Sequence, residues 1–242
     1  LSGINFSLYY SLFKGKWKEI IKNEELKLYL GIILTAVLLI TLNINKDIYH
    51  NFRLSLRDAY FQVGSIITTT GYATVDFDKW PTFSKTILFS LMFVGGCAGS
   101  TGGGMKNIRI LVLLKLVKRE ISKIFHPRAV IPIKIGDRVL PNEVVAGITS
   151  FFMLYILIFI LGTIFISLEG IDFESSAGAV AATLGNIGPG LGLVGPSRTY
   201  SQFSYASKLL LSLFMLMGRL ELFTIIALFA PSVWKNEILS KK

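Results

Sequence analysis

Long apolar runs alternate with short polar stretches along the whole chain. Four runs predict long helices. The first covers about Leu26 to Leu42 (LKLYLGIILTAVLLITL); the second begins near Phe83, holds TILFSLMFVGGCAG and resumes as MKNIRILVLLKLV. The third covers about Val144 to Leu168, and the fourth about Ala206 to Ala230, closing at Pro231. Each approaches the ~20 residues that cross a bilayer core, the second only if its glycine interruption is included. Two weaker segments lie between these runs, LSLRDAYFQVGSIITTTGYATVDF and DFESSAGAVAATLGNIGPGLGLVGP. Each offers about ten helix-compatible residues and then a Gly-containing polar stretch, which is too short to span. That pattern suits a re-entrant half-helix followed by an extended loop. Irregular backbone at membrane depth survives only where protein or a water-filled cavity satisfies its polar groups.

The order helix, half-helix with loop, helix therefore occurs twice, as an internal repeat of roughly 115 residues. The predicted class is an all-α integral membrane protein built of repeated helix–re-entrant loop–helix units. Residues 1–25 read as the end of a preceding element and a linker, 26–125 as one unit, 126–142 as a connector, and 143–242 as a second unit with a tail. LSGINFSLYYSLF lacks the charged start and cleavage site of a signal peptide and reads as the tail of an earlier element. A fragment or a processed chain is expected.

Composition supports this reading: 52% of the 242 residues are hydrophobic and the mean hydropathy is +0.60. A single Cys excludes an intrachain disulfide, and two His leave no zinc-ligand pattern. The net charge of +10 alone would suit a nucleic-acid partner, but the basic residues flank apolar runs, so none is expected and membrane lipid is. Their distribution sets orientation. Lys14, Lys16, Lys18, Lys22 and Lys27, then nine between Lys106 and Arg138, then Lys235, Lys241 and Lys242 make seventeen on one side, expected to be cytoplasmic together with the C-terminus. The opposite side holds seven (Lys46, Arg53, Arg57, Lys79, Lys85, Arg198 and Lys208), and Arg219 remains within the fourth helix. Both half-helix loops then enter from outside.

The loop TTTGYAT carries Thr68, Thr69 and Thr70 before Gly71. A glycine permits a backbone angle that turns carbonyls inward, and a column of such oxygens can replace the water around an alkali cation. No carboxylate lies in the loop, since Asp76 and Asp78 follow it, which argues against a tight divalent site. An ordinary Gly turn between two helices would read the same way. TLGNIGPGLG occupies the same place in the second unit, and a half-helix ending at each loop aims the negative end of its dipole at the cavity. Two registers are open: Gly71 with Gly185, pairing Thr69 with Thr183, or Gly71 with Gly188, pairing Thr69 and Thr70 with Asn186 and Ile187. Two loops cannot surround an ion where carbonyl filters use four. Either two chains combine or a missing N-terminal half supplies the rest.

Six glycines (Gly95, Gly96, Gly99, Gly102, Gly103, Gly104) with Ser100 and Thr101 interrupt the second helix at mid-membrane. Close helix packing needs only one or two small residues. Each glycine costs about 1 kcal/mol relative to Ala in a helix, so an unwound loop lining an aqueous cavity is expected. GSTGGGMK has the composition of a phosphate loop but not its spacing, because Lys106 is followed by Asn107. Arg219, in MLMGRLELFT, is a charge within an apolar helix and is read as functional. It would oppose cation passage, donate to carbonyls of the broken helix, or do both. Glu221, two residues on, points to a different helical face and is not its partner.

TTTGYATVDFDKWP, GGCAGSTGGGMKNIR, HPRAVIPIKIGDRVLPNEVV, DFESSAGAVAATLGNIGPGLGLVGP and MGRLELFT leading to APSVW together resemble the Trk/Ktr/HKT superfamily of potassium transporters, specifically its TrkH type. The resemblance runs from about Arg57 to Trp234. It implies a potassium-channel-like pore of four helix–loop–helix repeats in one chain, of which 26–125 and 143–242 would be the third and fourth. The signature glycine of each filter falls on Gly71 and Gly188, so Thr69, Thr70, Asn186 and Ile187 would present carbonyls to K⁺. Gly185 stands where relatives are expected to carry a polar side chain. The Gly95 to Gly104 break corresponds to the family's gating loop, and Arg219 to the arginine facing it. The resemblance also implies a homodimer of pore subunits in the plasma (inner) membrane of a prokaryote. Cytosolic nucleotide-binding subunits of the TrkA type would regulate it, with the basic stretch Lys106 to Arg138 as a docking surface.

The expected function is potassium uptake with no organic cofactor. No nucleophile–base pair points to an enzyme. Two other readings differ in their demands. An ion-coupled (Na⁺ or H⁺) secondary transporter would use a midplane carboxylate, for which Glu221 is available. A membrane enzyme or scaffold with a phosphate loop at Gly99 to Lys106 would itself bind nucleotide.

Overall fold

The computed structural model describes residues 2–136, 138–220 and 222–229. The described chain is helical apart from its loops and one short hairpin. Helices α1 (Phe6–Phe13) and α2 (Trp17–Lys22) lead into α3 (Glu24–Ile44), whose N-cap Asn23 accepts the Leu26 N–H at 2.8 Å. A π-helical turn continues α3, and Glu24–Tyr49 forms one 26-residue span long and apolar enough to cross a membrane. Among the described residues the second such span is α7 (Asn142–Ser167), also 26 residues.

The half-helix after the first span is α4 (Phe52–Ile67), capped by Asn51, which accepts from Arg53 and Leu54 N–H. It has 16 residues, longer than expected, because the polar residues of its outer turns, Arg53, Arg57 and Asp58, hide the helical period. At 1.5 Å per residue it is about 24 Å long, still short of a ~30 Å bilayer core. Its counterpart α8 (Phe173–Leu184) has 12 residues and is capped by Asp172, which accepts the Ser175 N–H at 3.0 Å. Every residue of α8 from Ser175 to Leu184 is buried. Small side chains make this possible, since ESSAGAVAAT lets neighbouring helices approach closely without an aqueous hydrophobic drive.

The second predicted run is two helices, α5 (Thr82–Met92) and α6 (Asn107–Phe125), with fourteen non-helical residues between them. The fourth is helical as α9 (Tyr205–Leu220) and α10 (Leu222–Phe229). Glu221, the tail beyond Phe229 and its lysines lie outside the described residues. In the connector, β1 (Lys134–Ile135) pairs antiparallel with β2 (Arg138–Val139), a two-residue ladder that an all-α reading did not include. Ile133 is buried with Val112 of α6 and Val145 of α7, so the connector closes a small apolar cluster between the helices it joins.

Two larger cores correspond to the two halves. One gathers α3, α4 and α5 around Ile40, Ile44, Val63 and Leu88; the other gathers α7, α8 and α9 around Tyr155, Ile166, Val180 and Phe214. Phe93, at the end of α5, meets Phe159 of α7 edge-on with ring centroids 5.0 Å apart, stitching the halves together. Lys85 of α5 and Glu174 of α8 form an ion pair at 2.5 Å between them. Leu34, Leu38, Met153, Leu157 and Ile164 are exposed, as the outer faces of membrane helices are.

Candidate ion-conducting site

The loops after α4 and α8 share one backbone design. Thr68 and Gly185 N–H each reach back four residues, to the carbonyls of Gly64 and Ala181. Thr69 and Asn186 each reach back three, to Ile66 and Thr183. Thr70 and Ile187 each reach back five, to Ser65 and Ala182. Thr69 and Asn186 are both left-handed, at φ 53° and 55°, and Gly71 and Gly188 both have positive φ, 77° and 108°. The geometry therefore pairs Gly71 with Gly188, whereas Gly185 has a helical φ of −77° and caps α8.

The loops touch. A methyl group added at Gly71 would fall on the carbonyl oxygen of Ile187, so a side chain there is excluded by contact as well as by φ. Thr68 and Thr70 hydroxyls lie 2.8 Å apart, and the Ser65 hydroxyl donates to the Tyr72 carbonyl at 2.5 Å. In the second loop the Tyr200 hydroxyl donates to the Gly188 carbonyl at 2.7 Å. Asp78, after the first loop, accepts the Gly192 N–H of the second at 2.9 Å. Asp78 thus acts as a brace between loops.

The glycine-rich segment is an unwound loop with a closed neck. Gly95 N–H donates to Met105 O at 2.8 Å and Asn107 N–H to Gly96 O at 3.0 Å. Its interior is tied by Ala98 N–H to the Glu25 carboxylate at 2.7 Å, and Asn107 Nδ2 donates to the Glu25 carbonyl at 3.0 Å. Glu25 is only 5% exposed. A carboxylate opening an apolar helix reads in sequence as an ordinary first-turn acid, so nothing distinguished it in advance. Residues 2–6 flank the loop as well: Cys97 N–H donates to Gly3 O at 2.8 Å and Phe6 N–H to Gly99 O at 3.2 Å. Ser100 donates its hydroxyl to Cys97 O, and Lys106 Nζ donates to Gly102 O. The N–H groups of Gly95, Cys97, Ala98 and Ser100 are all bonded within the protein, where a phosphate cradle would need them free.

The loop sits between the two filter-like loops and Arg219. Gly103 N–H donates to the Thr69 hydroxyl at 2.8 Å. The same Gly103 lies so close to the second loop that an added methyl group would stand 2.8 Å from Asn186 Cβ and 2.9 Å from Gly185 O. Arg219 Nη1 donates to Thr101 O at 2.7 Å. Thr69, Thr70, Gly71, Asn186, Ile187 and Gly188 thus gather at one place. Of the segment Gly95 to Gly104, Gly103 and Gly104 lie against these loops, and Arg219 is bonded to its Thr101.

The sequence matches the TrkH family, described as cation transport protein, over residues 25–237. The chain belongs to the TrkH family. It is 40% identical to the Trk system potassium uptake protein TrkH of Salmonella typhimurium across 98% of this chain and 49% of that protein. TrkG, a Trk system potassium uptake protein of Escherichia coli K12, is 33% identical across 98% of this chain and 48% of its own length. The crystal structure of the potassium transporter TrkH from Vibrio parahaemolyticus superposes with a TM-score of 0.87 at 39% identity, covering 96% of this chain and 50% of that one. The chain spans about half the length of the TrkH relatives it matches.

Proposed function

We propose that this chain forms half of a potassium-conducting pore and passes K⁺ inward across the plasma membrane of a prokaryote. Residues 26–125 and 143–242 are two pore repeats of four. Carbonyls of Thr69, Thr70, Asn186 and Ile187, with Gly71 and Gly188 setting the backbone, take the place of the ion's water. The observation that carries this reading is the matching of three successive main-chain bonds in the two loops, which are in contact at Gly71 and Ile187. Gly95 to Gly104 is the gate below them, tied by Arg219 to keep a positive charge on the path. The remaining two loops come from the N-terminal repeats of the full-length protein.

The wall beside the first loop suits that addition. A cleft of about 630 Å³, lined by Tyr29, Tyr60, Phe61, Thr68 and Thr70, opens next to it. Pore subunits pair as a homodimer, and a nucleotide-binding TrkA-type subunit docks on the cytoplasmic side, where the C-terminus also lies. The chain is a transport subunit and performs no covalent chemistry.

The test is ⁸⁶Rb⁺ uptake into proteoliposomes by this chain together with its N-terminal half, with excess K⁺ or Na⁺ as competitor. Competition by K⁺ and not Na⁺, without an imposed gradient of a second ion, is the expected result. Uptake that requires a Na⁺ or H⁺ gradient would replace the pore by an ion-coupled carrier.

A further inference from the structure

Thr69 and Asn186 occupy equivalent positions and the same left-handed conformation, but for different reasons. Asn tolerates that region, whereas a β-branched residue there is an outlier. Thr69 has a bond that Asn186 lacks, the Gly103 N–H donated to its hydroxyl at 2.8 Å. Asn186 has a different one, its Nδ2 donating to Met215 O of α9 at 2.9 Å. One turn further along α9 stands Arg219, which donates to Thr101 O of the glycine-rich loop. The bonds close a circuit. The first filter loop holds the glycine-rich loop, that loop holds Arg219, and the helix carrying Arg219 holds the second filter loop. The circuit returns where Gly71 meets the Ile187 carbonyl.

We infer that the Thr69 hydroxyl couples the gate to the filter, so that discrimination between K⁺ and Na⁺ depends on whether the glycine-rich loop is in place. The inference rests on the pore reading above. With the loop seated, Gly103 holds Thr69 in a conformation its own side chain disfavours, and the Thr69 carbonyl keeps its place in the ion column. With the loop withdrawn, that restraint is gone and Thr69 relaxes toward ordinary backbone angles. By linkage, an ion bound in the filter also stabilises the seated loop, because ion and loop favour the same Thr69 conformation. Thr69 is a positioning residue in this respect, through its hydroxyl and not its carbonyl.

The experiment uses the full-length protein in proteoliposomes and measures initial ⁸⁶Rb⁺ uptake and the Na⁺ concentration that halves it. Thr69→Val keeps shape and removes the acceptor. It should raise uptake about five-fold, the factor one ordinary hydrogen bond is worth, and lower the halving Na⁺ concentration several-fold. Thr69→Ser restores the acceptor and should bring both numbers back toward those of the unmodified protein. With Arg219→Ala, where the loop is already loosened, Thr69→Val should add less than about two-fold, because two bonds on one loop are not independent. Thr69→Ala, which adds no bulk, serves the same comparison should the Val variant fail to assemble. Serine behaving like valine, or a full five-fold effect of valine in both backgrounds, would overturn the coupling. Unmodified protein that takes up no Rb⁺ removes the pore reading itself and the coupling with it.

Discussion

Arg219 makes one polar contact with the glycine-rich loop, through Nη1 to the Thr101 carbonyl at 2.7 Å. Both residues are exposed, so water can replace either partner when the bond is lost. That places the bond at the low end of the range for charged donors, about 1.5 kcal/mol. If the loop is mostly seated, Arg219→Ala shifts the ratio of released to seated loop by roughly 12-fold. Uptake should rise by the same factor. Arg219→Gln separates the two roles, because it keeps a donor and removes the charge. A neutral bond is worth about half a charged one, so Gln should fall between wild type and Ala if the tie dominates. A glutamine variant equal to Ala would instead assign the effect to the charge. The assay is initial ⁸⁶Rb⁺ uptake at matched protein content in proteoliposomes of the full-length protein. Unchanged or reduced uptake in the Ala variant would refute the reasoning.

Three further outcomes follow from the same geometry. Glu25→Ala leaves the Ala98 N–H without its acceptor and should destabilise the protein by about 1–3 kcal/mol, Glu25→Gln by less, read as thermal unfolding in detergent. Gly71→Ala places a methyl group on the Ile187 carbonyl at positive φ, whereas Gly188→Ala adds strain with no atom within 4 Å; Gly71→Ala should therefore lose more uptake and more stability. Glu169, just beyond the end of α7, has its pKa lowered first by the Ser204 hydroxyl and then by the Ser207 hydroxyl, with the Ser204 N–H adding less. Its stabilising effect is present above the ordinary carboxylate value of about 4.3 and is lost as pH falls through the lower folded value. Glu169→Gln should flatten that acid portion of the stability profile, and an unchanged profile would show that these bonds carry no stability.

Much of the architecture was readable because it depends on composition over many residues. The two 26-residue spans and the glycine-rich break follow from long apolar runs and from a cluster of residues that cannot hold a helix. The residues alone left the alignment of the two loops open, and only the family resemblance placed it on Gly188, because Gly185 and Gly188 are the same residue type and only backbone angles separate a helix cap from a left-handed turn. Glu25 and the Thr69 hydroxyl were missed for a different reason. Their partners, Ala98 and Gly103, are distant in sequence and act through main-chain N–H groups that carry no side-chain signature. The connector hairpin escaped because two residues per strand leave no period to detect.

The closed neck of the glycine-rich loop has a mechanical consequence. Gly95 and Asn107 fix the base, and bonds of Ala98, Cys97 and Gly99 hold the first half against Glu25, Gly3 and Phe6, so the part left to move is Ser100 to Gly104. Its tip is latched by the bonds of Gly103 and Thr101, about 1 and about 1.5 kcal/mol. The two bonds share one loop and their effects do not simply add, so their bias toward the seated form stays below the roughly 70-fold of their sum. A latch this weak makes the second half of the loop a poised switch, while the loops after α4 and α8 stay braced by Asp78.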